Sequence, residues 1–226
     1  RQNLSYDLSF YDLDSALLVT EEFLSFSRKK NDLNIELGMT NKGYLNTQIG
    51  NQKTALDCFF YVLKLGEDKG DSTLVSQAYN DIAMAYMEFR EYEKALYYIE
   101  NSLQISRSQN DLKSISLTLN NYGLVFLYLE NYEKASEVFN EALMLKENFF
   151  EEETDPDEKY YLEIDIAMLE SNLGLVYKYQ NQFQNAIDIT KKAELIFKKL
   201  GLDFYLIQSY TTLSAVSYTH LTLPTS

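Results

Sequence analysis

Chemistry by this chain would have to run on carboxylates. Asp and Glu number 34, against a single histidine, His220, and a single cysteine, Cys58. A catalytic carboxylate needs an apolar pocket, or a second carboxylate beside it, to lift its pKa toward neutrality. Glu91 with Glu93, and Glu151 with Glu152 and Glu153, are close in sequence but fall at turns or in a loop, where they read as solubilising charges. The acidic stretch 151–158 could offer oxygens to calcium, yet it lacks the EF-hand spacing and its glycine. Cys58 adjoins Phe59 on one helix and reads as a core residue. No phosphate-cradling glycine loop, Cys/His metal spacing or Ser/His/Asp set is present. The residue types therefore point away from catalysis and call for no cofactor and no metal.

Composition narrows the remaining classes. In 226 residues, 46% are hydrophobic and 14% aromatic, enough to build a core. Eight Gly and two Pro are too few to punctuate many short strands, so long helices are expected. A formal net charge of −14 repels nucleic acid and anionic membrane alike. The 19 Tyr and 13 Phe lack the interleaved basic residues that single-stranded nucleic acid requires. No apolar run is long enough to span a bilayer, and no signal peptide is recognisable.

The elements that would position any site repeat along the chain. Ala16, Ala55, Ala95, Ala135 and Ala186 follow one another at steps of 39, 40, 40 and 51 residues. Twelve residues before each, from the second on, stands a small residue: Gly43, Ala83, Gly123 and Gly174. Four residues after stands Thr20, Phe59, Ile99, Phe139 or Thr190. Small residues let two helix backbones approach, and the large ones fill the crossing. Recurrence at such a period is the signature of a solenoid. Between units, Asn31-Asp32, Gly70-Asp71 and Asn110-Asp111, with Gly201 later, supply residues that end one helix and cap the next.

These residues resemble the tetratricopeptide repeat. The pattern is carried by Tyr122-Gly123, Phe126, Ala135, Phe139 and Ala142, by Ile82-Ala83, Tyr86, Ala95 and Ile99, and by Leu173-Gly174, Tyr177, Ala186 and Ala193. The YEKA tetrapeptides at 92–95 and 132–135 are a familiar form of it. The resemblance implies an all-α fold, an α-α superhelix of antiparallel helix pairs with the first helix of each pair on the concave side. It also implies lengthened helices, since the family's shortest unit is about 34 residues. The expected organisation is a partial unit at 4–32, units at 33–71, 72–111, 112–160 and 161–201, and a partial unit at 202–215. An acidic, partly disordered insertion at 150–158 accounts for the 51-residue step. Residues 216–226, VSYTHLTLPTS, resemble a translated transposase-type sequencing adapter, and residues 1–3 are grouped with them as foreign. The Thr-rich segment with Pro224 is expected to break the last helix, and His220 within it is given no role. The chain is thus expected to be an internal fragment of a longer bacterial protein, and without polar end caps it should fray or self-associate.

In the resembling family, positions on the first helices point into a groove that grips a peptide. Counted from the alanine markers, those rows are Thr40, Asn80, Asn120 and Ser171, then Asn41, Asp81, Asn121 and Asn172. Further along lie Tyr44, Met84, Leu124 and Leu175, then Thr47, Met87, Leu127 and Lys178, with Glu88 beside them. A column of amides can both donate to and accept from a peptide backbone, and Met and Leu can take apolar side chains. The same Asn residues could instead bond between neighbouring helices. Basic residues in these rows are limited to Lys178, so a clamp for a C-terminal carboxylate is not expected and neutral or basic segments are favoured. Two functions remain: a non-enzymatic scaffold that binds a protein or peptide segment, or the sensory region of a bacterial signalling protein, either a sensor kinase or a helix-turn-helix regulator.

Overall fold

The computed structural model describes residues 12–30 and 34–222, with the side chains of 28–30 and 217–222 left out. Among the described residues there are ten helices and no strand. They form two compact units, residues 1–111 and 112–226, and each is taken by itself.

The first unit holds α1 (Leu13–Lys30), α2 (Ile35–Gln48), α3 (Gln52–Lys69), α4 (Ser72–Glu88) and α5 (Tyr92–Ser108). Each helix packs on its sequence neighbour, and α2 also touches α4. Ala16, Ala55 and Ala95 are wholly buried, as are Ile82 and Ile99. Phe59 lies under Gly43, where a Cβ would come within 2.5 Å of its ring, and edge-on to Tyr44 at 5.4 Å. A buried hydroxyl group ties α4 to α5: Ser76 Oγ donates to the Ser102 carbonyl at 3.0 Å and lies 2.8 Å from Ser106 Oγ.

The second unit holds α6 (Leu112–Tyr128), α7 (Tyr132–Glu152), α8 (Pro156–Tyr179), α9 (Phe183–Leu200) and α10 (Asp203–Thr222). The same rule recurs, with first helices α6, α8 and α10 touching in succession. A Cβ on Gly123 would stand 2.6 Å from the Phe139 ring, and one on Gly174 would collide with Thr190 Oγ1. Phe197 packs with Ala167, Ala193 and Leu206, and its ring stacks on Tyr205 at 5.2 Å.

Helix ends follow the turn chemistry of the sequence. Asp71 accepts from Leu74 N at 3.0 Å, while Gly70 and Gly201 close their helices with φ of 65° and 70°. Asn110 adopts the same left-handed region, at φ 53°. The turn inside each helix pair is equally regular, with positive φ at Gly50, Arg90, Glu130 and Asn181. Asn31, Asp32, residues 1–3 and the start of the first partial unit, 4–11, lie outside the described residues.

Two expectations are corrected. The segment 150–158 is not a disordered insertion: α7 continues to Glu152, α8 begins at Pro156, and three residues join them. Asp155 accepts from Asp157 N at 2.8 Å and Glu158 N at 3.3 Å, and Pro156 takes the first helical turn, where its missing N–H is harmless. Asp-Pro followed by acids is a helix start as well as a loop sign. The Thr-rich segment near the end also stays helical, since α10 runs to Thr222, and residues 223–226 with Pro224 lie outside the described ones. No described helix is long and apolar enough to cross a membrane.

Candidate interaction surface

In the first unit the α2 and α4 faces are joined by a buried acid. Tyr44 OH donates to Asp81 Oδ1 at 2.5 Å, although 42% of Tyr44 is exposed. Burial pushes the Asp81 carboxyl up to about 6, against the hydrogen bonds from Tyr44 and Asn80 that lower it. The Tyr44 hydroxyl is raised by its own burial and by Asp81. Asp81 is therefore a structural link between helices, with Asn80 bonded beside it, and the two are exposed by only 7% and 8%. Charge reversal at Asp81 would strike the fold before any bound segment. Asn41, Met84 and Met87 are partly exposed and Glu88 is exposed, so these four are open to a partner.

In the second unit a run of amides bonds between neighbouring first helices. Asn120 Nδ2 donates to Asn121 Oδ1 at 3.3 Å, and Asn172 Nδ2 donates to Asn120 Oδ1 at 3.4 Å. Gln208 Nε2 then donates to Asn172 Oδ1 at 3.4 Å, so one chain of amides crosses α6, α8 and α10. Asn172 is buried, whereas Asn120, Asn121 and Leu124 are partly exposed. Lys178 lies beside this row, its ammonium 4.8 Å from the Tyr179 ring centre. Gln208 escaped the sequence reading because its unit's marker alanine had not been reached, although an amide on the next first helix was the available signal.

Glu170 on α8 was also missed. It is 6% exposed, its Oε2 has no hydrogen-bond partner, and burial pushes its carboxyl up to about 7. Lys192 on α9 opposes that rise and Glu147 on α7 adds to it. Among the described residues, no group of three His, Cys, Asp or Glu is placed to hold a metal ion.

Residues 74–148 match the tetratricopeptide repeat family. No curated protein matches the chain. Among solved structures, the chain is similar to RapI in its apo form, with a TM-score of 0.71 and 19% identity over 90% of this chain and 71% of that one. It is similar to BtubC from P. vanneervenii, with a TM-score of 0.66 and 20% identity over 84% of this chain and 75% of that one. It is also similar to the apo form of the quorum sensor NprR from B. thuringiensis, with a TM-score of 0.61 and 19% identity, covering 99% of this chain and 60% of that one.

Proposed function

We propose that this tetratricopeptide-repeat protein is a non-enzymatic interaction scaffold whose first-helix faces bind a peptide or protein segment, neutral or basic in preference to acidic. The observation that carries the reading is the amide chain from Asn120 through Asn172 to Gln208. Bonded to one another, these amides are held in fixed orientation, and each keeps further donor and acceptor capacity. An extended segment lying across α6, α8 and α10 would find peptide-like groups in register, with Leu124 beside them for an apolar side chain. The net charge of −14 supports the charge preference and argues against nucleic acid.

The test is selection of segments from a random display library on the purified chain. Selected segments should lose about tenfold in affinity on Asn120→Ala, the equivalent of one well-made hydrogen bond. Affinity unchanged by Asn120→Ala, with the helical signal retained, would refute the proposed face. Turnover of a substrate without added partner would refute the non-enzymatic half.

A second reading is favoured by the likeness to the quorum sensor NprR, of which this chain covers 60%. In it the repeat array is the sensory or regulatory region of a bacterial signalling protein. A natural reading frame that continues into a kinase core or a DNA-binding helix pair would promote this reading over a free-standing scaffold.

A further inference from the structure

In the first unit the second helices α3 and α5 both pack on α4 but not on each other, which leaves a furrow between them floored by α4. Its lining is aromatic. Phe60 on α3 reaches across to Tyr98 on α5, the rings edge to face with centres 5.9 Å apart. From the α4 floor, Tyr79 meets Tyr98 at 6.1 Å and Tyr86 stacks on it at 5.4 Å. Tyr97 stands edge-on to the same ring at 5.1 Å. Phe60 and Tyr97 form the rims, 36% and 61% exposed, and Tyr79 and Tyr98 are half-buried.

The repeat does not call for these rings. Five residues past the marker alanine, where Phe60 stands, the other units carry Glu21, Glu100, Asn140 and Lys191. Two residues past it, where Tyr97 stands, they carry Leu18, Asp57, Glu137 and Asp188. Solvent positions filled mostly by polar or charged groups elsewhere are thus filled by rings here, on two helices that flank one furrow.

Hydroxyls and charge say what would fit. Burial, then Glu67 and Tyr97, raise the Tyr79 hydroxyl, and burial with the surrounding tyrosines raises that of Tyr98. Both keep their protons at neutral pH, and neither spends its donor on a hydrogen bond to a described residue. Tyr79 and Tyr86 lie two turns apart on α4, roughly 10 Å. Exposed Glu67 acts at the Tyr79 end. At the Tyr86 end Lys94 lies 5.2 Å from the ring centre, its charge cancelled by the ion pair with Glu91. The open surface of the rings comes to roughly 200–300 Å² at about 200 Å² a ring. That is far below the roughly 800 Å² per partner of a stable globular interface, so a slender segment suits the furrow better than a second copy of the chain.

We propose that this furrow binds a proline-rich extended segment, with a basic residue of the segment at the Glu67 end. A polyproline helix has no internal hydrogen bonds, so its carbonyls are free to accept from Tyr79 and Tyr98. Its pyrrolidine rings pack flat on aromatic walls, and its stiffness keeps the entropy cost of docking low. The site is separate from the first-helix faces and does not depend on them.

The probe is an acetylated and amidated hexaproline ending in arginine, titrated into the isotope-labelled chain. Plain hexaproline and a Gly-Ser hexamer ending in arginine run alongside. The probe should give saturable shifts confined to amides of α3, α4 and α5 around Phe60, Tyr79 and Tyr97, and bind at least about fivefold tighter than the Gly-Ser peptide. Its arginine should add about twofold, a gain lost in Glu67→Gln. Tyr97→Ala should weaken the probe about fivefold, while Tyr61→Ala, which removes an exposed ring of α3 outside the cluster, should not. Tyr98→Phe keeps every ring contact and should weaken the probe about threefold with the melting temperature within about 2 °C. A ring cluster serving packing alone would not show that separation of binding from stability. Equal binding of the Gly-Ser peptide, indifference to both Tyr97→Ala and Tyr98→Phe, or shifts spread over the acidic surface would each overturn the proposal. So would light scattering that finds a dimer abolished by Tyr97→Ala, since a second copy would then cover the furrow. Library-selected segments that need Asn120 are untouched by any of these results, so the two readings fail separately.

Discussion

Replacing Gly123 by Ala tests the close approach on which the helix pairing depends. An added Cβ would stand 2.6 Å from two carbons of the Phe139 ring and 2.8 Å from a third. Carbon atoms prefer about 3.5–4.0 Å, so the ring would have to retreat by about 1 Å. Phe139 has 0% exposure and sits in a filled core, and overpacking of this kind costs about 1–3 kcal/mol. Against it stands a gain of about 1 kcal/mol from exchanging Gly for Ala within a helix. The expected net effect is destabilisation by up to about 2 kcal/mol, the clash at least cancelling the propensity. Urea unfolding with an unchanged slope would report it, together with faster amide exchange in α6 and α7, which locates the loss in an array that need not unfold all at once. Phe139→Leu supplies the second corner of a cycle. With the ring gone, Gly123→Ala should turn neutral or stabilising, leaving a coupling of about 2 kcal/mol between the sites. If Gly123→Ala alone stabilises the chain by the full helix-propensity gain, the two backbones are not in contact and the packing argument fails.

Other consequences follow from single residues. Glu130 is exposed with φ 58°, a conformation costing a side-chain-bearing residue about 1–2 kcal/mol, so Glu130→Gly should raise stability by about 0.5–1 kcal/mol after glycine's entropy is subtracted; a lowered melting temperature would contradict this. Tyr44→Phe removes the hydroxyl that serves Asp81 and should cost about 1.5–3 kcal/mol, with a larger penalty at pH 8 than at pH 5, where protonation spares the buried charge; an equal loss at both pH values would show that the carboxylate is not the acceptor that matters. Glu170 binds its proton more tightly folded than unfolded, with a folded pKa of about 7, so its contribution to stability is intact below the unfolded carboxyl pKa and lost as pH rises toward 7. Glu170→Gln should therefore gain on the wild type between pH 5 and 8 by roughly 2–3 kcal/mol, and parallel stability curves would refute the assignment.

The repeat was legible because its signal is steric and local. Gly43, Gly123 and Gly174 recur where a side chain would collide with Phe59, Phe139 and Thr190, and no other role explains small residues at that spacing. Depth was not legible. Periodicity places Asn80, Asp81 and Asn172 on the first-helix face, but whether a polar residue there meets solvent or the next helix depends on the neighbour's side chains, and here all three are buried. The positive φ at Arg90 and Glu130 was hidden for a related reason: the turn is imposed by two packed helices, and neither residue type announces it. Residues 151–158 misled because Pro and acids mark loops and helix N-termini alike, and only the cap bonds from Asp155 separate the two.

That ambiguity is where the chain's individuality lies. α7 has 21 residues against 17 in α5, and α8 has 24 against 17 in α4. At 1.5 Å per residue the extra length is roughly 6 Å and 10 Å. The added turns leave Tyr161 62% exposed and line a cleft with Phe149, Glu152, Glu158 and, from the start of α6, Lys113. Those turns pack chiefly on each other, with Lys159 over the Phe150 ring and Glu163 paired to Lys199. Shortening α7 and α8 by matched turns should therefore erase the cleft while the amide chain from Asn120 to Gln208 keeps its hydrogen bonds.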